Sequence, residues 1–230
     1  MLYLLYIVKN ITERKPDLVI FGGDNVSSGL NRKITSELAE LMEKLGVYWA
    51  AVLGNHEGEG ILAVSREENV NIFSSYDHCL MKNGKDDVDG NGNYTISILN
   101  PDNTLKEVFF FMDSGSYMTD ESKSEYGVTK DGEVYDGVKT SQVQWYRDKH
   151  DALTAEYGKF KSITVVHIPP YQAEREYSED DFLYGEKRES ICESGFDAGL
   201  FDAMKEKGGA QAVYFGHDHV NDFGVMCDGI

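Results

Sequence analysis

Two histidines, His217 and His219, follow Gly216 at the end of a short apolar run, Ala212-Val213-Tyr214-Phe215. The run is β-branched and aromatic, so it reads as a buried strand, and the glycine lets the chain turn sharply after it. In an extended segment residues two apart face the same side, about 6–7 Å apart along the backbone. Imidazoles so placed can share one cation or serve two adjacent ones, which in two-metal sites lie about 3.5–4 Å apart. Histidine is also the commonest metal ligand. Alone, such a pair is more often a solvated loop. The other polar residues at strand ends weigh against that reading: Asp24 after Gly22-Gly23, Asn55-His56-Glu57 after Gly54, and His167 after Val165-Val166.

The chemistry this set suits is metal-assisted hydrolysis of a phosphate ester. A carboxylate such as Asp24 can bridge two cations, while imidazoles and an amide oxygen complete their shells. Such cations polarise phosphoryl oxygens and lower the pKa of bound water, so that hydroxide is present near neutral pH. His56 suits the role of general acid toward the leaving alkoxide, with Glu57 expected to orient or acidify it. His78, in a polar loop, and His150, on a helix amid charges, read as structural or solvated.

The elements that must position these residues alternate. A helix is expected over 2–15, with Leu4, Leu5, Val8 and Ile11 at helical spacing, and Pro16 ends it. A strand over 17–21 leads to Gly22-Gly23-Asp24. A helix over 33–45 carries Ile34, Leu38, Leu41, Met42 and Leu45 on one face and stops at Gly46. A strand over 47–53 leads to Gly54-Asn55-His56, and a further helix is expected over 61–69. Residues 74–93 read as a loop. Within it Asp87-Val88-Asp89-Gly90-Asn91-Gly92 imitates the first half of a calcium-binding EF-hand, but Ile98 stands where the bidentate glutamate belongs.

Strands are expected over 94–99 and 107–112. A helix over 140–157, capped by Thr140 or Ser141, precedes a strand from Ser162 closed by Pro169-Pro170. The acidic stretch 174–193 reads as a solvated loop, and a helix over 197–207 precedes the final strand. This is an α/β arrangement, in which ligands gather at the carboxyl ends of the strands.

The chain has 230 residues, enough for one domain over 1–230 with a real core, and it shows no repeat or linker. A net charge of -18 argues against nucleic acid or an anionic membrane surface as partner. An anionic substrate would need a local cationic centre, such as bound metal, against that field. There is no apolar run of about 18 residues, so no transmembrane helix is expected. Cys79, Cys192 and Cys227 are too few and scattered for a disulfide framework or a cysteine-type zinc site. The start of the chain lacks the basic residues and cleavage site of a signal peptide. Sequons at Asn10, Asn25 and Asn93 leave the compartment open.

Together and in this order, Gly23-Asp24, Gly54-Asn55-His56-Glu57, Val166-His167 and Gly216-His217-Asp218-His219 resemble the calcineurin-like metallophosphoesterase superfamily. The stretches Lys15 to Ile20, Trp49 to His56, Gly92-Asn93-Tyr94 and Lys139 to Tyr146 resemble its purple-acid-phosphatase-like branch, related to yeast Dcr-type phosphatases and small plant enzymes. The resemblance implies a four-layer α/β/β/α sandwich with a binuclear centre of iron, manganese or zinc. It implies Asp24 as the bridge, Asn55, His167 and His217 on one metal, His219 on the other, and His56 as phosphate contact and acid. The implied substrate is a small phosphate ester or a phosphoprotein.

Two departures qualify these expectations. Purple acid phosphatases carry a tyrosine ligand three residues after the aspartate, and here that place is Ser27. No Asp-x-His precedes Asp24, and the chain closes at Asp228-Gly229-Ile230. The fold is therefore expected to be incomplete at the N- and C-termini, and one metal position is expected to be weak, with two metals or only one held. Phosphomonoester hydrolysis is the first expectation. A phosphodiesterase or nucleotidase, and an inactive binding or scaffold protein, are the alternatives.

Overall fold

The computed structural model describes residues 2–26, 30–60, 62–175 and 177–230. Ser27, at the tyrosine-ligand position, and Ile61, at the expected start of the third helix, lie outside the described residues. In chain order the elements are α1 (Leu2–Arg14), β1 (Leu18–Phe21), α2 (Asn31–Leu45), β2 (Tyr48–Ala51), α3 (Arg66–Ser74), β3 (Tyr94–Leu99) and β4 (Leu105–Phe111). There follow α4 (Asp120–Glu125), α5 (Thr140–Tyr157), β5 (Lys161–Val165), α6 (Gln172–Arg175), β6 (Phe182–Glu186), α7 (Leu200–Lys207), β7 (Ala210–Tyr214) and β8 (Asp222–Val225).

Strands β1 and β2 pair in parallel, and a second sheet has the order β3-β4-β5-β7. In it β3 runs antiparallel to β4, while β4, β5 and β7 are mutually parallel. The two sheets share a core. Successive side chains on a strand point to opposite faces, and β4 sorts its residues accordingly. Phe111 and the partly buried Phe109 join Phe21, Trp49, Leu38 and Met42 in the core with α1, α2 and α3. Val108, Phe110 and Met112 face the other way, into a second core with Val143, Tyr146 and Leu153 of α5 and with Leu200 and Met204 of α7. The layers are thus helix, sheet, sheet, helix.

Side chains tie the two sheets together. Trp49 lies edge-on to Phe21 and Phe73, at 5.9 and 5.0 Å between ring centroids. Tyr94 stacks on Phe111 at 4.6 Å, and its hydroxyl accepts from Ala51 N at 3.1 Å and donates to Ala51 O at 2.8 Å. A β2 backbone group that has run out of strand partners is satisfied by a β3 side chain, which fixes where β2 ends relative to the second sheet.

Several boundaries differ from expectation. Helix α3 starts later than expected because Ser65 caps it, accepting from Glu68 N at 3.1 Å. Ser141 does not cap α5: its hydroxyl donates to Asp89, and Gln142 Oε1 instead accepts from Lys139 N at 2.8 Å. The acidic stretch expected as a solvated loop holds β6, which pairs antiparallel with β8. In the EF-hand-like stretch, Asn91 N donates to Asp113 at 2.7 Å and a Cβ on Gly90 would lie 2.9 Å from the Asp113 Cβ. Gly90 thus serves a close approach to the end of β4, whereas a Cβ on Gly92 would meet Met81 at 2.7 Å. The sequon asparagines Asn25 and Asn93 have their amides engaged inside the fold, with Val52 and Glu57 and with Asp89. Among the described residues no helix is long and apolar enough to cross a membrane.

Candidate metal centre

Because β1 and β2 run together, and β4, β5 and β7 likewise, the residues that follow them gather along one edge. Asp24 follows β1 through Gly22-Gly23, Asn55 and His56 follow β2, His167 follows β5, and His217 and His219 follow β7. The turn after β1 is tight. Asp24 sits at φ +49, a left-handed conformation that costs a non-glycine residue free energy and tends to persist at functional sites. Gly23, at φ +96, lies so close to His167 that a Cβ there would come within 2.3 Å of its ring nitrogen. Gly216 passes equally close to the first turn, since a Cβ would stand 2.7 Å from Gly22 O.

His167 is the hub and is wholly buried. Its Nδ1 lies 2.8 Å from Gly22 O. A carbonyl can only accept, so Nδ1 carries a proton, and Nε2 is the nitrogen turned inward. That Nε2 faces Asp24 Oδ2 at 3.1 Å, Asn55 Oδ1 at 3.1 Å and His217 Nδ1 at 3.2 Å. His219 Nε2 stands 3.2 Å from Asp24 Oδ2. The ligand atoms of Asp24, His167 and His217 all lie within 4.8 Å of one another.

Electrostatics favour the ligand forms of these groups. Burial would raise the Asp24 carboxyl, but the bond and charge of His167, with the His56 N–H, outweigh it and hold Asp24 well below the ordinary carboxylate range. Burial, with His167 close by, pushes His217 down to about 4, so near neutral pH it offers a lone pair. A carboxylate, an amide oxygen and imidazole nitrogens are turned toward one point. The donor set fits a cation, and its mix of nitrogen and oxygen atoms suits zinc, iron or manganese.

His56 stands apart from this hub. Its backbone N donates to Asp24 Oδ1 at 2.9 Å, and its Nε2 lies 3.9 Å from Asp24 Oδ2. Its Nδ1 is 2.5 Å from Glu59 Oε2. Burial would lower its pKa, but the Glu59 bond and the charges of Asp24, Glu59 and Glu57 raise it. The carboxylate bonded to the ring is thus Glu59. The adjacent Glu57 is turned inward and fully buried: Oε1 accepts from Asn25 N at 2.6 Å and Asn25 Nδ2 at 3.0 Å, and Oε2 from Gly54 N at 2.8 Å. Burial and the Asp24 charge push its carboxyl up, against those N–H bonds.

A supporting layer comes from the segment after β4. Ser114 Oγ accepts from His167 N at 3.3 Å and Ile168 N at 2.9 Å. Ser116 Oγ donates to Asn55 O at 2.9 Å, and Asn55 Nδ2 donates to Tyr117 Oη at 3.3 Å. Arg66, at the start of α3, pairs with the buried Asp113 and donates to Gly54 O. Ser114, Ser116, Tyr117, Arg66 and Asp113 carried no signal in the sequence, and Glu59 carried one that went unread, its i to i+3 spacing from His56.

The fold agrees with comparison to known proteins. The calcineurin-like phosphoesterase family matches residues 3–221, and the chain belongs to that family. Among named relatives, probable inactive purple acid phosphatase 14 of Arabidopsis thaliana is 29% identical over 98% of this chain and 59% of its own length. Probable inactive purple acid phosphatase 29 of the same plant is 27% identical over 95% of this chain and 58% of its length. Phosphatase DCR2 of Saccharomyces cerevisiae is 28% identical over 93% of this chain and 38% of its length. The chain therefore spans less than two thirds of the length of these relatives.

Proposed function

We propose that the protein hydrolyses phosphomonoesters at a metal centre held by Asp24, Asn55, His167, His217 and His219, with His56 as general acid. The observation that carries this reading is the inward-facing donor set around His167, whose tautomer Gly22 O selects. A bound divalent or trivalent cation there supplies neutralisation of the phosphoryl oxygens and a hydroxide nucleophile near neutral pH.

The chain's own residues do the rest. The Glu59 carboxylate takes the Nδ1–H of His56, so the proton to be delivered sits on Nε2, the nitrogen nearer Asp24. The raised pKa of the ring keeps that proton in place closer to neutral pH, as a general acid requires. Asn55 and Asp24 fix the approach of the phosphate relative to that nitrogen.

The names of the Arabidopsis relatives favour a second reading, a site that binds metal and phosphate without turnover. Release of inorganic phosphate from simple phosphomonoesters by protein loaded with manganese, iron or zinc separates the two. Wild-type turnover that His217→Ala abolishes together with metal content supports hydrolysis. Metal binding with no phosphate release from any ester supports the second reading, and unchanged metal content in His217→Ala would remove it from the ligand set.

A further inference from the structure

Tyr135 touches two features of different kinds. Its ring meets His217 edge-on, with centroids 4.3 Å apart, and stacks with Tyr117 at 5.4 Å. Tyr117 is the residue whose hydroxyl receives the Asn55 amide, and a β-bridge joins the two tyrosines' backbones. Tyr135 also lines a cleft of about 650 Å³ together with Tyr126 and Tyr171. Cys192, on the same lining, donates its N–H to Asp218 Oδ1 at 3.1 Å, which ties the cleft to the turn carrying His217 and His219. The cleft therefore adjoins the metal centre, and two of its walls are anchored to the ligand-bearing segments.

Its size lies within the range of small-ligand sites, and its chemistry narrows the occupant. Phe196 stacks against Tyr126 at 3.9 Å, adding to an aromatic surface. The lining carries Lys130 and Arg175 against Glu133, Glu193 and Asp197. Arg175 is already placed over the Tyr171 ring at 4.0 Å and paired with Glu193 at 3.4 Å. A second phosphate would meet an excess of carboxylates there. A flat uncharged ring would meet π-faces on which it can stack.

We propose that this cleft receives the leaving group of the substrate, and that the leaving group carries a planar aromatic ring, as in an aryl phosphate or a nucleoside monophosphate. The proposal rests on the phosphomonoesterase reading above. In the reaction, water supplies the oxygen of the new P–O bond, the P–O bond to the ring-bearing alcohol breaks, and the released oxygen takes the proton held on His56 Nε2. The alcohol then remains in the cleft until it dissociates.

The test compares phenyl phosphate and adenosine monophosphate with glycerol 2-phosphate on the metal-loaded protein, in wild type, Tyr171→Leu, Tyr135→Leu and Tyr135→Phe. Stacking on one aromatic side chain is worth roughly 5- to 150-fold in affinity. Each leucine variant is expected to raise KM for one or both aromatic esters by roughly that factor relative to glycerol 2-phosphate, with Tyr135→Phe retaining the preference. The aromatic ester that loses more identifies which ring the cleft holds. An aromatic-to-alkyl ratio that stays within about twofold of wild type in both leucine variants overturns the proposal. If no ester is hydrolysed, calorimetric affinity for phenylphosphonate against methylphosphonate decides it. Wild-type discrimination lost in Tyr171→Leu supports the cleft even though hydrolysis has failed, and equal affinities overturn it.

Discussion

The buried Glu57 carboxylate is the most demanding element of the site's support, and Glu57→Gln tests it with almost no change in shape. Three N–H groups converge on its two oxygens, two from Asn25 on Oε1 and one from Gly54 on Oε2. An ionised carboxylate accepts all three, whereas an amide has one accepting oxygen. Turned the better way, the substituted amide would keep both Asn25 bonds and set its NH₂ against the Gly54 N–H, now 2.8 Å from an oxygen. The loss is one hydrogen bond to a charged group, worth about 1.5–3 kcal/mol, with a buried donor left unsatisfied. Some strain relaxes as the two donors move apart, so about 3 kcal/mol is a fair central figure.

For a chain of this size that corresponds to a Tm lower by about 6–12 °C. Asn25 and Gly54 flank Asp24 and Asn55, so metal affinity is expected to fall as well. Thermal unfolding followed by circular dichroism at pH 7, with and without metal, reads both effects. A Tm within about 2 °C of wild type would mean instead that Glu57 already carries a proton in the fold.

His56→Ala should leave metal stoichiometry unchanged while lowering turnover by about 10² or more, the usual scale for a general acid; retained turnover would remove it from the mechanism. Arg66→Met strands the buried Asp113 carboxylate without its cation, a change that typically costs about 3–5 kcal/mol. Chemical denaturation should show a lower midpoint, and an unchanged one would make the pair irrelevant to stability. His150 is 5% exposed and packed between Phe110 and Phe160, and burial lowers its pKa. The unfolded chain then takes up a proton below about pH 6.5 that the folded one refuses, so stability falls as pH drops through that window. At pH 5.5 the effect reaches at most about 1.4 kcal/mol, and the Tm difference between pH 7.5 and 5.5 should shrink in His150→Gln. An equal difference in both proteins would assign the acid sensitivity elsewhere.

The turns after β1, β2 and β7 were legible because each combines two local signals, an apolar strand-like run and a glycine followed by polar side chains, which place Asp24, Asn55 and His217 at strand ends. His167 has no such glycine, and its signal was an apolar run closed by Pro169-Pro170. The layer behind them was not legible, for a physical reason. Arg66 meets Asp113 across 47 residues and Asn55 meets Tyr117 across 62, and neither pairing leaves a trace in local spacing. Glu59 is a different case. The chain after Asn55 turns into a short 3₁₀ helix, His56–Gly58, and i to i+3 spacing brings Glu59 onto His56. Adjacency in the sequence pointed to Glu57 instead. The cap at Ser65 was visible as Ser-x-x-Glu, and reading the helix from its apolar residues alone put its start too early.

The contact between His219 and Asp24 joins residues 195 positions apart. On a ribosome elongating at about 5–20 residues per second, Asp24 therefore waits roughly 10–40 s for its last histidine. During that interval a nascent chain holds a half-assembled cluster, with Asp24 and His56 together but β5 and β7 still to come. Contacts of such long sequence separation are formed late, after the loop-closure cost has been met by the strands between them. A chain in which His219 has reached Asp24 has therefore been synthesised through all of β5 and β7.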